Sequence, residues 1–464
     1  MNTLHLDLVS VFAADTAPSP PFSLTIDGDP LDVSEVLRWL PDRRLVVAGR
    51  YRDTVVVAKL FSAQRRSRLE AQNELAALGR LTERGIPAPQ CLQFEQNEQG
   101  SALVMSSLSG RIADEYERQA DAPRAAALCL QLVSFTGRMH RSGCWQSDAH
   151  LGNFMIDGGH SWLLDVASVS FRPAPLDDRR QLQNLAVLLS QFRPRFLPPL
   201  PQILAAHAGG LSEPALADAL RKARHYRYRH FLAKTQRDCT AFVTLADGPI
   251  KGFAVREQRD ALQALLAHGL DQAISEGVML KDGNSSTVVR VNWAGRDWVI
   301  KRYNLKSKMH AFKRKFMRSR ARNSWLAANW LQLVGVATPQ PIAMFEERHL
   351  GMKGRAWFIC EYLPSETVLD LDPEQLRSDG VLWELVELLR LMQLLRFNHG
   401  DMKATNLLWA DGALSVMDLD AMRLMVNRAA WRRGFAKDRQ RLLQNWDEDP
   451  QLQRQLEQTL PPLI

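Results

Sequence analysis

The apolar positions fall into two long rounds of one pattern. In the first, the β-branched run Thr54-Val-Val-Val-Ala-Lys59 predicts a strand ending in lysine. A helical stretch, the turn Gly85-Ile-Pro-Ala-Pro89 and a strand-like segment Ser101 to Ser106 follow. Leu128, Leu132, Phe135 and Met139 then recur at helical spacing. Short apolar runs on either side of Asp157-Gly158-Gly159 predict a hairpin. The second round repeats the order: Asp297-Trp-Val-Ile-Lys301, the turn Gly335-Val-Ala-Thr-Pro339, the strand-like Ala356 to Tyr362, and a hairpin across Asp411-Gly412. Its helix carries Leu382, Leu385, Leu389, Met392 and Leu395. Two α+β domains are therefore expected, over 1–240 and 276–464, with 241–275 as a linker region that includes a linking helix at Ala261 to Leu270.

The polar residues around the hairpins repeat more strictly than the apolar ones. Asp148 precedes Asn153 by five residues and Asp165 by 17; Asp401 precedes Asn406 by five and Asp418 by 17. Two copies 253 residues apart mean a duplicated domain rather than a short-period repeat. One aspartate alone would read as a helix cap or turn residue. The same trio at the same spacing, on a loop after a helix and on the following hairpin, reads as chemistry.

Composition changes this picture little. Apolar residues make up 46% of the 464, enough for a core in each half. The net charge of +8 favours anionic partners without choosing among them. Cys91, Cys129, Cys144, Cys239 and Cys360 show no metal-ligand spacing and read as free thiols in a reducing compartment. No signal peptide and no membrane-spanning run is expected, so any membrane contact is peripheral.

Phosphoryl transfer asks a protein for positioning and electrostatics. A lysine holds the nucleotide phosphates, an aspartate orients the acceptor hydroxyl and takes its proton, and an asparagine with a second aspartate holds Mg²⁺ through hard oxygen donors. Lys59, Asp148, Asn153 and Asp165 fit those jobs in chain order, and so do Lys301, Asp401, Asn406 and Asp418. The small residues of Lys281-Asp-Gly-Asn-Ser-Ser-Thr287, with Gly283, Ser285 and Ser286, suit a loop over phosphates. The first half offers only Ala48-Gly49-Arg50.

His399-Gly-Asp-Met-Lys-Ala-Thr-Asn406 resembles a kinase catalytic loop, and Asp418-Leu-Asp420 stands where kinases carry DFG. With Val299-Ile-Lys-Arg-Tyr-Asn304 and Gly335-Val-Ala-Thr-Pro-Gln-Pro341, it is similar to the lipopolysaccharide kinase family of Kdo and WaaP core-heptose kinases. The resemblance implies two tandem protein-kinase-like bilobal domains. It implies an ATP- and Mg²⁺-dependent phosphotransferase acting on a heptose or Kdo of the lipopolysaccharide inner core, in the cytoplasm at the inner membrane. Departures are Gln146 in place of the loop histidine, and Ala167 and Asp420 in place of the DFG glycine. Asp420 reads as a metal contact or a turn cap. Glu70 and Glu74 are candidate partners for Lys59, whereas Trp298 to Phe345 contains no acid for Lys301.

The C-terminal copy is expected to be the more dependable catalyst; the N-terminal one is a differently specific kinase or a decayed copy. Lys301 to Arg322, with ten basic residues, reads either as a solvated helix face or as contact with lipid A phosphates or the anionic inner leaflet. No nucleic-acid motif is present. Two alternatives stand beside the core-sugar kinase: another small-molecule kinase, and a partly inactive pseudokinase pair that scaffolds envelope enzymes.

Overall fold

The computed structural model describes residues 4–304, 318–349, 352–377 and 379–462. The chain forms two compact units, Met1–Phe192 with Phe196–Arg224, and Arg193–Arg195 with His225–Ile464.

The first unit opens with a seven-stranded sheet. Its spatial order is Leu4–Leu6, Phe22–Ile26, Asp29–Leu40, Arg44–Tyr51, Thr54–Ser62, Gly100–Ser106 and Cys91–Asn97. Val56, Ala58 and Leu60 alternate into its core beside Leu45 and Val47. The helix Arg65–Glu83 lays Ala71, Ala77, Leu78 and Leu81 into a second core shared with the helical part of the unit. There Asp121 caps Ala122–Arg141, its side chain accepting the Arg124 amide. Leu128, Leu132, Phe135 and Met139 are buried on that helix, as their spacing predicts. Phe135 meets Phe154 edge to face at 6.0 Å, which ties the helix to the hairpin Phe154–Asp157 and His160–Leu163.

The second unit also has a seven-stranded sheet: Phe242–Asp247, Ile250–Val255, Pro341–His349, Met352–Glu361, Arg296–Tyr303, Ser286–Trp293 and Val278–Gly283 in spatial order, antiparallel throughout. Its first two strands come from the segment expected to be a linker. Residues 241–275 are built into this unit, and the division between units falls earlier, within the helix Glu213–Lys234. The reason is apolar burial. Val243, Leu245 and Ala254 face one core with Leu262, Leu265, Leu266 and Leu270 of the helices Arg259–His268 and Leu270–Glu276, against Trp298, Ile300 and Trp357. On the opposite face of the sheet the helix Arg320–Leu333 is buried nearly all round, and Trp325 donates its indole N–H to the Thr235 carbonyl at 3.0 Å. The helix Asp379–Leu395 buries Val381, Leu385, Leu389 and Met392.

Glycine is required where the strand Ile250–Val255 crosses its neighbour. A Cβ on Gly252 would lie 1.8 Å from the Met344 carbonyl oxygen, so backbone has to move. Gly252→Ala is therefore expected to destabilise the second unit by about 1–3 kcal/mol. Denaturant unfolding followed by tryptophan fluorescence checks this. An unchanged midpoint would mean that 241–255 is not an integral part of the sheet.

Candidate active sites

The two loops share one hydrogen-bond scheme. In the first unit the strand Cys144–Gln146 leads through Asp148 to a single helical turn, Leu151–Asn153. The Asn153 side-chain amide donates to the Asp148 carbonyl at 2.8 Å, and the Leu164 amide donates to the Asn153 carbonyl at 2.8 Å. In the second unit Ala404–Asn406 makes the same turn. Asn406 donates to the Asp401 carbonyl at 2.8 Å, and the Met417 amide donates to Asn406 at 2.9 Å. Each asparagine thus spends its N–H on the loop and keeps its side-chain oxygen for another partner.

Gln146 takes over the histidine's bonding with its donor shifted by one residue. His399 donates through Nε2 to the Met417 carbonyl at 2.9 Å and accepts the Asp401 amide on Nδ1 at 3.3 Å. Gln146 donates through Nε2 to the Asp165 carbonyl at 2.6 Å and accepts the Asp148 amide on Oε1 at 3.4 Å. In both cases the donor end reaches the stretch just after the hairpin and the acceptor end holds the aspartate's backbone. Losing the ring does not loosen the first loop.

Supports from later helices were not expected. Asp438, 2% exposed on the helix Arg428–Leu443, accepts the His399 amide at 2.7 Å and the Gly400 amide at 2.9 Å. Burial pushes its carboxyl up, against the opposing pull of His399 and the two amides. In the first unit Asn184 donates to the Gln146 carbonyl at 2.6 Å and accepts from His140 Nε2 at 2.9 Å, and His140 bonds His207 at 2.9 Å. Burial lowers both histidines to about 4, so the pair is neutral near pH 7.

The two strand lysines find different counter-charges. Lys59 pairs with Glu74, which is fully buried on Arg65–Glu83. Glu70, one turn earlier, is held by Arg43 and Arg44 at 2.9 Å each. Lys301 pairs instead with Asp418 and lies 3.6 Å from Asp420, which itself pairs with Arg320. Among the described residues no glutamate meets Lys301. Asp420 is thus a counter-ion. Asn323 fixes this stretch by donating to the Asp420 and Met422 carbonyls at 2.9 Å each. Asp418 sits at φ 57°, in the left-handed region. Burial pushes its carboxyl up, but Lys301, with His399 and Arg320, holds it below its ordinary value.

Mg²⁺ tolerates a sparse protein donor set, because it keeps several waters and takes phosphate oxygens. Among the described residues no three His, Cys, Asp or Glu side chains converge on a metal site. Asp165 does carry a buried carboxylate oxygen, Oδ1, without a hydrogen-bond partner. With the Asn153 side-chain oxygen it makes a hard-oxygen pair that suits the ion. Asn406 and Asp418 provide the same two donors.

The hairpins beside the lysines also correspond. Gly283 ends one strand and a buried Ser286 begins the next, with Ser285 in the turn between them. The Ser285 carbonyl accepts the Asn304 amide at 3.2 Å, three residues beyond Lys301. In the first unit the Arg43 carbonyl accepts the Ser62 amide at 3.1 Å, three residues beyond Lys59. The turn at Pro41-Asp42-Arg43, not Ala48-Gly49-Arg50, is therefore the counterpart. Gly49 lies inside the strand Arg44–Tyr51, where a Cβ would come within 2.1 Å of the Asp32 oxygen.

Lys301→Met should raise the Asp418 pKa, because the largest influence opposing burial is removed and only His399 and Arg320 remain to hold it down. In the wild type this carboxylate's stabilisation is present above the unfolded-state pKa and is lost as pH falls through the depressed folded value. Carbon-13 carboxyl titration by NMR reads the shift. Unchanged titration in the variant would remove Lys301 as the cause.

Residues 272–459 match the lipopolysaccharide kinase (Kdo/WaaP) family, and residues 34–146 match the phosphotransferase enzyme family APH. No curated protein matches the chain. Solved structures with similarity include the bifunctional kinase-methyltransferase WbdD, at 16% identity over 43% of this chain and 53% of that one, TM-score 0.31. A co-crystal of WbdD with the kinase inhibitor LY294002 matches at 19% identity, over 38% and 45% of the two chains, TM-score 0.28. The chain spans about half the length of these structures. No helix of the described residues is long and apolar enough to cross a membrane. The two families imply ATP use, and the second supports a sugar kinase in lipopolysaccharide biosynthesis. The chain thus carries two kinase-like regions in tandem, the first similar to the phosphotransferase enzyme family APH and the second to the lipopolysaccharide kinase (Kdo/WaaP) family.

Proposed function

We propose that the chain transfers the γ-phosphoryl group of ATP to a hydroxyl of a heptose or Kdo in the lipopolysaccharide inner core, at the cytoplasmic face of the inner membrane. The observation that carries this reading is the repeated scheme in which Asn153 and Asn406 clamp the Asp148 and Asp401 carbonyls at the same 2.8 Å. Such a loop points an aspartate at an acceptor while its asparagine keeps an oxygen for a cation. In this reading Asp148 and Asp401 orient the acceptor hydroxyl and receive its proton. Lys59 and Lys301 hold the nucleotide phosphates, beneath hairpins that include Gly283, Ser285 and Ser286 in the second unit. Asn153 with Asp165, and Asn406 with Asp418, would hold Mg²⁺, which supplies charge neutralisation on the phosphates when bound.

A second reading concerns the first unit alone. Its match to a different phosphotransferase family favours a separate acceptor for that site. Contact with lipid A phosphates or the anionic leaflet would rest on the other basic residues of the run Lys301 to Arg322, at about 1 kcal/mol each near the surface, because Lys301, Arg302 and Arg320 pair with Asp418, Asp271 and Asp420. Residues 305–317 of that run lie outside the described residues.

Asp401→Asn and Asp148→Asn are each expected to lower transfer by about 10²–10⁴-fold, since each removes a proton acceptor with little change of shape. Mass spectrometry of core oligosaccharide from cells carrying each variant reads the missing phosphoryl group. Loss of a different phosphate in each makes the chain bifunctional. Full phosphorylation in both variants would refute the assignment.

A further inference from the structure

The candidate base of the second unit is crowded by cations in a way that its counterpart is not. Arg441 Nε lies 2.7 Å from Asp401 Oδ1, and Lys403 Nζ lies 3.9 Å from Asp401 Oδ2. Lys437, exposed and one helical turn before Arg441, points to the same side of the helix Arg428–Leu443. That helix is pinned to the loop by Asp438, three residues before Arg441, which brings the Arg441 backbone beside the loop. Two cations thus flank one carboxylate, with Lys437 on the same helix face as Arg441. In the first unit no ion pair reaches Asp148 among the described residues.

The Arg441–Asp401 contact is close but off axis. Asp401 Oδ1 is buried and accepts no aligned hydrogen bond among the described residues, so charge alone holds the pair. The Arg441 side chain is 49% exposed, and its approach to the carboxylate is through Nε. Its two terminal nitrogens remain for a planar or tetrahedral anion, the geometry a guanidinium fork recognises. A neutral sugar needs no such surplus of positive charge beside the hydroxyl it presents.

We propose that Arg441, with Lys403 and Lys437, forms an acceptor subsite that binds a carboxylate or phosphate borne by the sugar and so delivers a neighbouring hydroxyl to Asp401. Arg441 is a positioning residue that sets specificity. It touches the base on one edge and the acceptor's anion on the other. In the transfer itself the hydroxyl oxygen forms the new bond to the γ-phosphorus, the bond to the β,γ-bridging oxygen breaks, ADP leaves, and the proton goes to Asp401. This inference rests on the sugar-kinase reading for the transfer step but not for anion binding.

The test separates the two. Phenylglyoxal labelling of Arg441 in the full chain, read by peptide mass spectrometry, is measured with Kdo as its sodium salt, with inorganic phosphate, and with a neutral heptoside. Protection by Kdo or by phosphate, but not by the heptoside, supports the subsite and identifies carboxylate or phosphate as its ligand. Protection by neither anion overturns it. Transfer from ATP to Kdo-bearing lipid A and to its carboxyl-reduced form gives the second readout. Arg441→Gln should raise KM for the preferred anionic acceptor by roughly 10–100-fold, the value of a hydrogen bond to a charged group, and erase the preference over the reduced form. Arg441→Lys should restore part of it, since charge survives without the fork. Wild-type discrimination in Arg441→Gln overturns the proposal. Protected labelling with no transfer to either lipid by the wild type leaves the subsite standing and removes the core-sugar reading.

Discussion

An ammonium group near the inner end of a sheet strand cannot stay charged in a largely dry site without a counter-charge, and each unit is organised around meeting that need. Removing one partner of such a pair costs about 3–5 kcal/mol, because the other is left buried and uncompensated. In the first unit the counter-charge is Glu74, so the helix Arg65–Glu83 is fastened to the sheet through Lys59. The Asp165 carboxylate is then not needed to balance the lysine. In the second unit the counter-charges are Asp418 and Asp420, so the sheet is fastened to the loop after the hairpin. Arg320 and Asn323, neighbours on one helix, complete that arrangement.

The apolar spacing made the two rounds of strand, helix and hairpin legible, and the spacing of Asp, Asn and Asp made both loops legible, because these are local patterns. What escaped was set by contacts between distant positions. Asp438 lies 39 residues from the His399 amide it accepts. Glu70 and Glu74 are one turn apart on the same helix face, so periodicity cannot choose between them; the position of Arg44 does. The strands Phe242–Asp247 and Ile250–Val255 looked like a linker because their apolar faces are short. Only the partner strand Pro341–His349, about a hundred residues later, makes them part of a sheet.

The expected ranking of the two copies rested on Gln146 and on the missing glycine loop. In the structure both positions are filled by other bonds. Gln146 accepts the aspartate amide as His399 does and donates one residue further along, and the turn at Pro41-Asp42-Arg43 occupies the place of the small-residue hairpin. The units differ more in what surrounds the proposed base. Arg441 and Lys403 flank Asp401, and among the described residues no ion pair reaches Asp148. Equal loops beside unequal acceptor surroundings favour two sites with different acceptors over one live site and one decayed copy.

If both units hold nucleotide through their strand lysines, isothermal titration of the full chain with a non-hydrolysable ATP analogue and Mg²⁺ should show two nucleotides per chain, with one lost in Lys59→Met and one in Lys301→Met. A single nucleotide that only one of the two substitutions removes, or no binding at all, would contradict that arrangement.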